Sequence, residues 1–69
     1  MHIRFVKIGK NHYHLQIRHF YGWTYKKISP YGEFTEIMDF NSEKEGLKYI
    51  KREHEKDTTF FIYPTIKLK

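Results

Sequence analysis

The residues that decide the fold of this chain are 2–20, which read HIRFVKIGKNHYHLQIRHF. Side chains alternate between the two sides of the backbone along residues 2–8 and 12–20, in the pattern of half-buried β-strands. Between the two runs lie Gly9 and Asn11, residue types that tolerate the positive φ angles of a tight turn. The stretch therefore predicts a β-hairpin.

Pairing the two strands so that Ile8 faces His12 sorts their side chains onto two sheet faces. The odd-numbered positions form an apolar face, whose opposed pairs are Ile3 with Ile17, Phe5 with Leu15 and Lys7 with Tyr13. The even-numbered positions form what we call the second face, where cationic and apolar side chains are mixed.

Residues 23–28 and 33–40 predict a third and a fourth strand, joined by the turn Ser29-Pro30-Tyr31-Gly32. Pro and Gly occupy the positions that a type I turn prefers, and this turn sets Lys27 opposite Phe34.

The connection between the second and third strands leaves two alternatives. A three-residue loop places Trp23 and Tyr25 on the apolar face, and we favour it because it buries the larger rings. A two-residue loop turns the third strand over and places both rings on the second face.

Residues 42–56 predict a helix, since Ser42 followed by Glu45 forms a capping box at a start rich in acidic residues. Its narrow apolar stripe consists of Gly46, Leu47 and Ile50. Such a stripe covers one sheet face only. Glycine in a helix costs about 1 kcal/mol relative to alanine. We therefore expect Gly46 to allow the close approach of a large aromatic ring, with Trp23 as the candidate.

Residues 58–63 predict a fifth strand at an edge or a bulge, because Pro64 cannot donate a ladder hydrogen bond. The predicted fold is α+β, an antiparallel four-stranded meander with one helix packed on one face and a C-terminal fifth strand (β-β-β-β-α-β). Residues 1–69 are expected to form a single domain.

Composition narrows the class of protein. With 69 residues and no cysteine, the chain has neither disulfides nor thiolate metal ligands, and an aromatic content of 19% supplies apolar surface instead. No apolar run approaches the roughly 20 residues of a membrane span, which predicts a protein of the host-cell cytoplasm with no membrane partner.

The lack of alanine and the excess of Lys over Arg are typical of AT-rich genomes, as in small bacteriophage and archaeal virus accessory proteins.

Charge is segregated along the chain, which carries a net charge of +5. Residues 1–32 hold six Lys or Arg and no acid, whereas all eight acids lie within residues 33–57. A field of one sign attracts a partner of the opposite sign, most commonly phosphate. The predicted nucleic-acid or anion-binding residues are Arg4, Lys10, His12, His14, Arg18, Lys26 and Lys27.

One helix cannot cover both faces of the predicted sheet, which leaves two interpretations of the second face. It binds nucleic acid by phosphate contacts and ring stacking, or it is covered by the C-terminal segment or a second copy of the chain. Lysine lacks the bidentate fork that reads guanine, so any nucleic-acid binding is expected to show loose sequence preference and steep salt dependence. The predicted aromatic anchors for a partner are Phe20, Tyr21, Trp23 and Tyr31.

Catalysis is not indicated, because no nucleophile–base pair, paired carboxylates or Gly-rich phosphate loop is evident. We therefore predict a non-enzymatic protein without a cofactor. His12 and His14 share a strand face, but no third ligand of matching reach is evident, so no metal site is predicted.

Residues 12–56 resemble the arm-type DNA-binding domain at the N-terminus of tyrosine recombinases. That family has a basic, aromatic strand pair, a third strand ending in Phe, then a polar cap and an acidic helix start. The matching residues are Tyr13, Arg18, Trp23, Lys26, Phe40, Ser42 and Glu45. The chain departs from the family in its fifth strand and in having no downstream catalytic domain within these residues. The resemblance implies a sheet in the DNA major groove, with Arg18 and Lys26 contacting DNA.

Together these patterns predict a small basic binding protein of phage or viral type, whose N-terminal hairpins contact the phosphates of nucleic acid or a nucleotide. The alternative is a virus-encoded inhibitor of the anti-CRISPR or anti-defence type, which docks on a host nucleic-acid-handling protein. A homodimer whose second face is covered by its own copy is a third possibility.

Overall fold

The computed structural model describes residues 1–29, 32, 35–55 and 59–68. Its elements are β1 (His2–Gly9), β2 (His12–His19), β3 (Gly22–Tyr25), β4 (Lys27–Ile28), β5 (Glu36–Ile37), α1 (Glu43–Glu53), β6 (Phe61–Ile62) and β7 (Ile66–Lys67). The predicted α+β class is confirmed: within these residues one helix accompanies mostly antiparallel strands and short C-terminal strands.

The main sheet has the strand order β3-β2-β1-β6, and β7 also pairs with β1. Both C-terminal strands run parallel to β1, whereas β1, β2 and β3 are antiparallel neighbours. β4 and β5 form a separate two-stranded ribbon. The chain returns from this ribbon to the edge of β2, where Phe40 and Tyr13 exchange two backbone hydrogen bonds of 2.8 Å. The described residues therefore show three strands of the predicted meander in the main sheet and the rest in this ribbon.

The predicted pairing of β1 with β2 is confirmed over most of its length. The observed pairs are Ile3 with Ile17, Arg4 with Gln16, Phe5 with Leu15, Val6 with His14 and Lys7 with Tyr13. At the turn the prediction is wrong by one residue, because Gly9 rather than Ile8 faces His12. The reversal there uses Asn11 at a φ of 62°, and the register shifts between Lys7 and Gly9.

The loop between β2 and β3 is two residues long, Phe20 and Tyr21, because His19 pairs with Gly22. Gly22 has a φ of 131°, a backbone conformation that residues with a Cβ rarely adopt. With this glycine in the turn, β3 begins at Gly22, one residue before the predicted start of the third strand at residue 23.

The shorter loop places Trp23 and Tyr25 on the second face, opposite Arg18 and Gln16. Their favoured placement on the apolar face is wrong, since a shift of one residue moves every side chain of a strand to the other face.

The predicted fourth strand is reduced and displaced. Lys27 pairs with Ile37 rather than with Phe34, a register three residues away from the prediction. The predicted turn residues Pro30 and Tyr31, together with Glu33 and Phe34, lie outside the described residues. The remaining strand, β5, is only two residues long.

Helix α1 packs on the apolar face, as predicted. The buried core consists of Ile3, Phe5, Leu15, Phe40 and Ile50. The side-chain oxygen of Ser42 accepts a hydrogen bond of 3.2 Å from the Glu45 backbone N–H, which caps the helix start. The helix ends at Glu53, before the predicted end at Lys56, which lies outside the described residues.

Gly46 faces the ring of Phe5, with Phe40 beside it. A large ring does approach this glycine, but the predicted partner Trp23 is wrong because Trp23 lies on the other side of the sheet. Because glycine has no Cβ, the helix backbone at Gly46 packs directly against the Phe5 ring.

The C-terminal segment follows the edge of β1, with backbone hydrogen bonds from Phe61 to Met1 (2.8 Å) and from Tyr63 to Ile3 (2.9 Å). The strand is interrupted at Pro64 before β7 begins, which confirms the predicted edge position and break. Among the described residues, no helix has the length and apolar character needed to cross a membrane.

Candidate nucleic-acid interface

The second face takes side chains from β1, β2, β3 and the segment after β6. Strand pairing sets Arg4 opposite Gln16, and it sets Arg18 opposite Trp23. Because alternate strand residues share a face, these four lie on one side of the sheet. Tyr63 reaches the same side and contacts the indole of Trp23. We call the set Arg4, Gln16, Arg18, Trp23 and Tyr63 the cation–aromatic cluster.

Arg4 is half-buried at one side of this cluster. Its Nε donates a hydrogen bond of 2.6 Å to Oε1 of Gln16, which satisfies an amide oxygen on a residue only 8% exposed. Its Cζ lies 4.2 Å from the centre of the Trp23 ring, within the range of a cation–π contact. The guanidinium is thereby held in a fixed position.

Tyr63 brings the C-terminal segment across the second face. Its ring meets Trp23 edge-on, with 5.1 Å between ring centres and an angle of 85°. Its hydroxyl oxygen accepts a hydrogen bond of 3.0 Å from Nη1 of Arg18 and lies 2.9 Å from Nδ1 of His2. The alternative that the C-terminal segment covers this face is therefore confirmed in part.

The partners of Arg4 and Arg18 are neutral: an amide, an indole and a phenol. In the described part of the chain, neither guanidinium makes an ion pair with a carboxylate. Among the described residues, therefore, no paired carboxylate offsets the charge of either side chain, and Arg18 is exposed to solvent. A guanidinium has five N–H donors, so hydrogen-bonding capacity remains for a phosphate.

Lys26 does not lie on the second face, where the predicted register places it. Its ammonium group forms a hydrogen-bonded ion pair with Glu53 of α1, on the other side of the sheet. The hydrogen bond from Lys26 lowers the pKa of Glu53; partial burial opposes this, and the Tyr49 hydroxyl adds to the lowering. Arg18 and Lys26, which the recombinase resemblance assigns to one DNA groove, therefore lie on opposite faces.

We expect the Lys26–Glu53 pair to make stability depend on pH. Because the pKa of folded Glu53 lies below its ordinary value of 4.5, the stabilisation is present above that pH and is lost as the pH falls through the folded pKa. Lys26→Met should therefore lower the free energy of unfolding at neutral pH, and the difference from wild type should shrink in acid. Urea unfolding at about pH 7 and about pH 3 measures it. Lys27→Met, at an exposed neighbour, should show no such change, and a Lys26→Met difference that is the same at both pH values would contradict the pairing.

The other predicted cations and histidines are dispersed. His14 is half-buried on the second face, with its ring edge-on to Tyr25 at 5.8 Å between centres. His12 is bound through Nδ1 to Oδ2 of Asp39 at 2.9 Å, so a carboxylate faces it. Lys10 lies in the β1–β2 turn and Lys27 in β4, away from the cluster. The described residues contain no group of three or more potential metal ligands.

The predicted anchors separate into two environments. Phe20 and Tyr21 form the turn between β2 and β3, which we call the hairpin tip, with relative exposures of 101% and 65%. The Tyr21 ring stacks parallel to His19, with 5.0 Å between centres and an angle of 3°. Trp23 is half-buried in the cluster instead, and Tyr31 lies outside the described residues.

Sequence reasoning missed two cluster members, Gln16 and Tyr63. Gln16 could have been found from the sequence, because the predicted register already set this polar residue opposite Arg4 at the centre of the hairpin. Tyr63 could not, since its position depends on a C-terminal segment that pairs in parallel with β1.

Comparison with protein-family models, with curated proteins and with solved structures gives no match to this chain.

Proposed function

We propose that this chain is a small non-enzymatic protein of phage or viral type that binds nucleic acid through the cation–aromatic cluster. The observation that carries the proposal is that Arg4 and Arg18 lie beside Trp23 and pair with no carboxylate of the described residues. Phosphate contacts and nearby rings are the two components of binding without base-edge readout.

The chemistry of the two arginines supports a phosphate ligand. A guanidinium binds phosphate through parallel N–H donors, and its orientation here is fixed by neutral partners that do not compete for its charge. Of the predicted cations, Arg4 and Arg18 remain in the proposed surface, whereas Lys26 is left out because its ammonium group pairs with Glu53. Helix α1, which contains Glu43, Glu45 and Glu53, packs on the apolar face and not on the second face.

The test compares two charge reversals of equal size. Arg18→Glu is expected to weaken binding of a fluorescein-labelled oligonucleotide by about tenfold or more, and to reduce the salt slope by about 1. Lys44→Glu changes the net charge by the same amount on an exposed helix position, and its affinity should stay within about twofold of wild type. Fluorescence anisotropy at low and moderate salt measures both variants.

Two outcomes would count against the proposal. Equal weakening by the two reversals would mean that net charge, not the cluster, holds the ligand. A wild-type protein that binds no oligonucleotide at low salt would reject nucleic acid as the ligand.

A second candidate function is an inhibitor of the anti-defence type that docks on a host nucleic-acid-handling protein. The wholly exposed Phe20 favours it, since exposed aromatic side chains often anchor protein interfaces. Pull-down from host lysate with and without nuclease separates the two: a protein retained after nuclease treatment supports the inhibitor, and one lost with the nucleic acid supports direct nucleic-acid binding.

A further inference from the structure

We propose that the hairpin tip stacks on unpaired bases, so that the preferred ligand of this surface is single-stranded rather than duplex nucleic acid. The inference rests on the proposed function and names the substrate class of the same surface.

The geometry of the tip is the first support. Phe20 and Tyr21 span a two-residue turn between the paired residues His19 and Gly22, so their backbone is held by the strand ladder on both sides. The relative exposure of Phe20 is 101%, which leaves its ring open to a ligand. A flat apolar ring presented on a short hairpin loses little conformational freedom when a base stacks on it.

The neighbouring charge is the second support. Arg18 precedes Phe20 by two residues, so their Cα atoms are at most about 7 Å apart. A phosphate bound at Arg18 would therefore set the base of the same or the next nucleotide beside the tip. Because Arg18 makes no ion pair with a carboxylate of the described residues, a polyanion suits this surface better than an apolar protein pocket, which would bury an unpaired charge.

The preference for a single strand follows from base access. In a duplex both faces of each base are covered by neighbouring pairs, and a ring enters only by unstacking a step at a cost in free energy. In a single strand the base faces are open. A phenyl ring has no donor or acceptor, so stacking on Phe20 would tolerate any base.

The test uses three probes of about 12 nucleotides: labelled oligothymidylate, a duplex of the same length, and an abasic strand with the same phosphates. Wild type is expected to bind oligothymidylate about tenfold more tightly than either of the other two. The double variant Phe20→Ser, Tyr21→Ser should bind oligothymidylate as weakly as the abasic strand, with its affinity for the abasic strand unchanged. Leu68→Ser removes an exposed apolar side chain near the far end of β1 and should change none of these affinities.

The outcomes separate this inference from the proposed function. Binding of no probe rejects the proposed function, and this inference falls with it. Equal binding of all three probes, all weakened by Arg18→Glu, supports the cluster and overturns base stacking. An unchanged affinity of the tip variant for oligothymidylate also overturns it and leaves the tip as an anchor for protein. Thermal unfolding of each variant verifies that the fold is retained.

Discussion

Phe5→Ala is expected to lower the free energy of unfolding by about 3–5 kcal/mol. The Phe5 ring is 1% exposed and lies between the sheet and α1, within a core of five buried residues. For 69 residues the whole free energy of unfolding is about 3–10 kcal/mol. The expected loss is therefore a large share of the whole stability, because removal of the ring leaves a cavity in the core.

The matched control is Phe20→Ala, which makes the same chemical change at a side chain with 101% relative exposure. Its free energy of unfolding should stay within about 0.5 kcal/mol of wild type. Urea titration followed by far-UV circular dichroism measures both variants. A Phe5→Ala loss no larger than that of Phe20→Ala would contradict the core described above.

Gly46→Ala is expected to lower the free energy of unfolding by about 1–3 kcal/mol, although alanine is the better helix former by about 1 kcal/mol. An added Cβ would lie 2.9 Å from Cζ of Phe5 and closer still to its Cε1, with Cδ2 of Phe40 at 3.4 Å. Neither ring can move freely, because both are buried in the core. The steric cost therefore exceeds the gain in propensity.

A double-mutant cycle with Phe5→Leu isolates this contact. Leucine lacks the outer ring atoms that the new Cβ meets, so Gly46→Ala should cost less in the leucine background, with a coupling energy of about 1 kcal/mol or more. Lys48→Ala, at an exposed position of the same helix, should stay within about 0.5 kcal/mol of wild type. A Gly46→Ala variant more stable than wild type would show that the helix does not rest on the Phe5 ring.

The candidate site was predictable as far as strand alternation reaches. Arg4 and Arg18 share the second face because the β1–β2 register follows from their own alternating neighbours. Trp23 was misplaced because a loop of two residues and a loop of three residues put the next strand's side chains on opposite faces. The positive φ of Gly22 permits the two-residue loop. Lys26 was misplaced for the same reason, and its carboxylate partner lies 27 residues further along the chain.

The fold was predictable where local chemistry decided it. The hairpin pairs lie within one stretch, residues 2–19, and the Ser42 cap and the break at Pro64 depend on residues within a few positions of one another. The parallel pairing of β6 and β7 with β1 was not predictable, because it joins the two ends of the chain. The ribbon of β4 and β5 also escaped prediction, since its register depends on how residues 29–35 connect the two strands.

By itself the sequence determined a β-hairpin with one apolar and one cationic face, a capped helix that covers the apolar face, and an opening stretch free of acids. Only the tertiary structure decided which cations pair with a carboxylate, because Lys26 lies beside Glu53 whereas Arg18 donates a hydrogen bond to the phenol of Tyr63. Strand alternation and turns depend on neighbouring residues. The pairing of a cation with a carboxylate depends instead on the distance between remote segments, and this distance is set only when the chain folds.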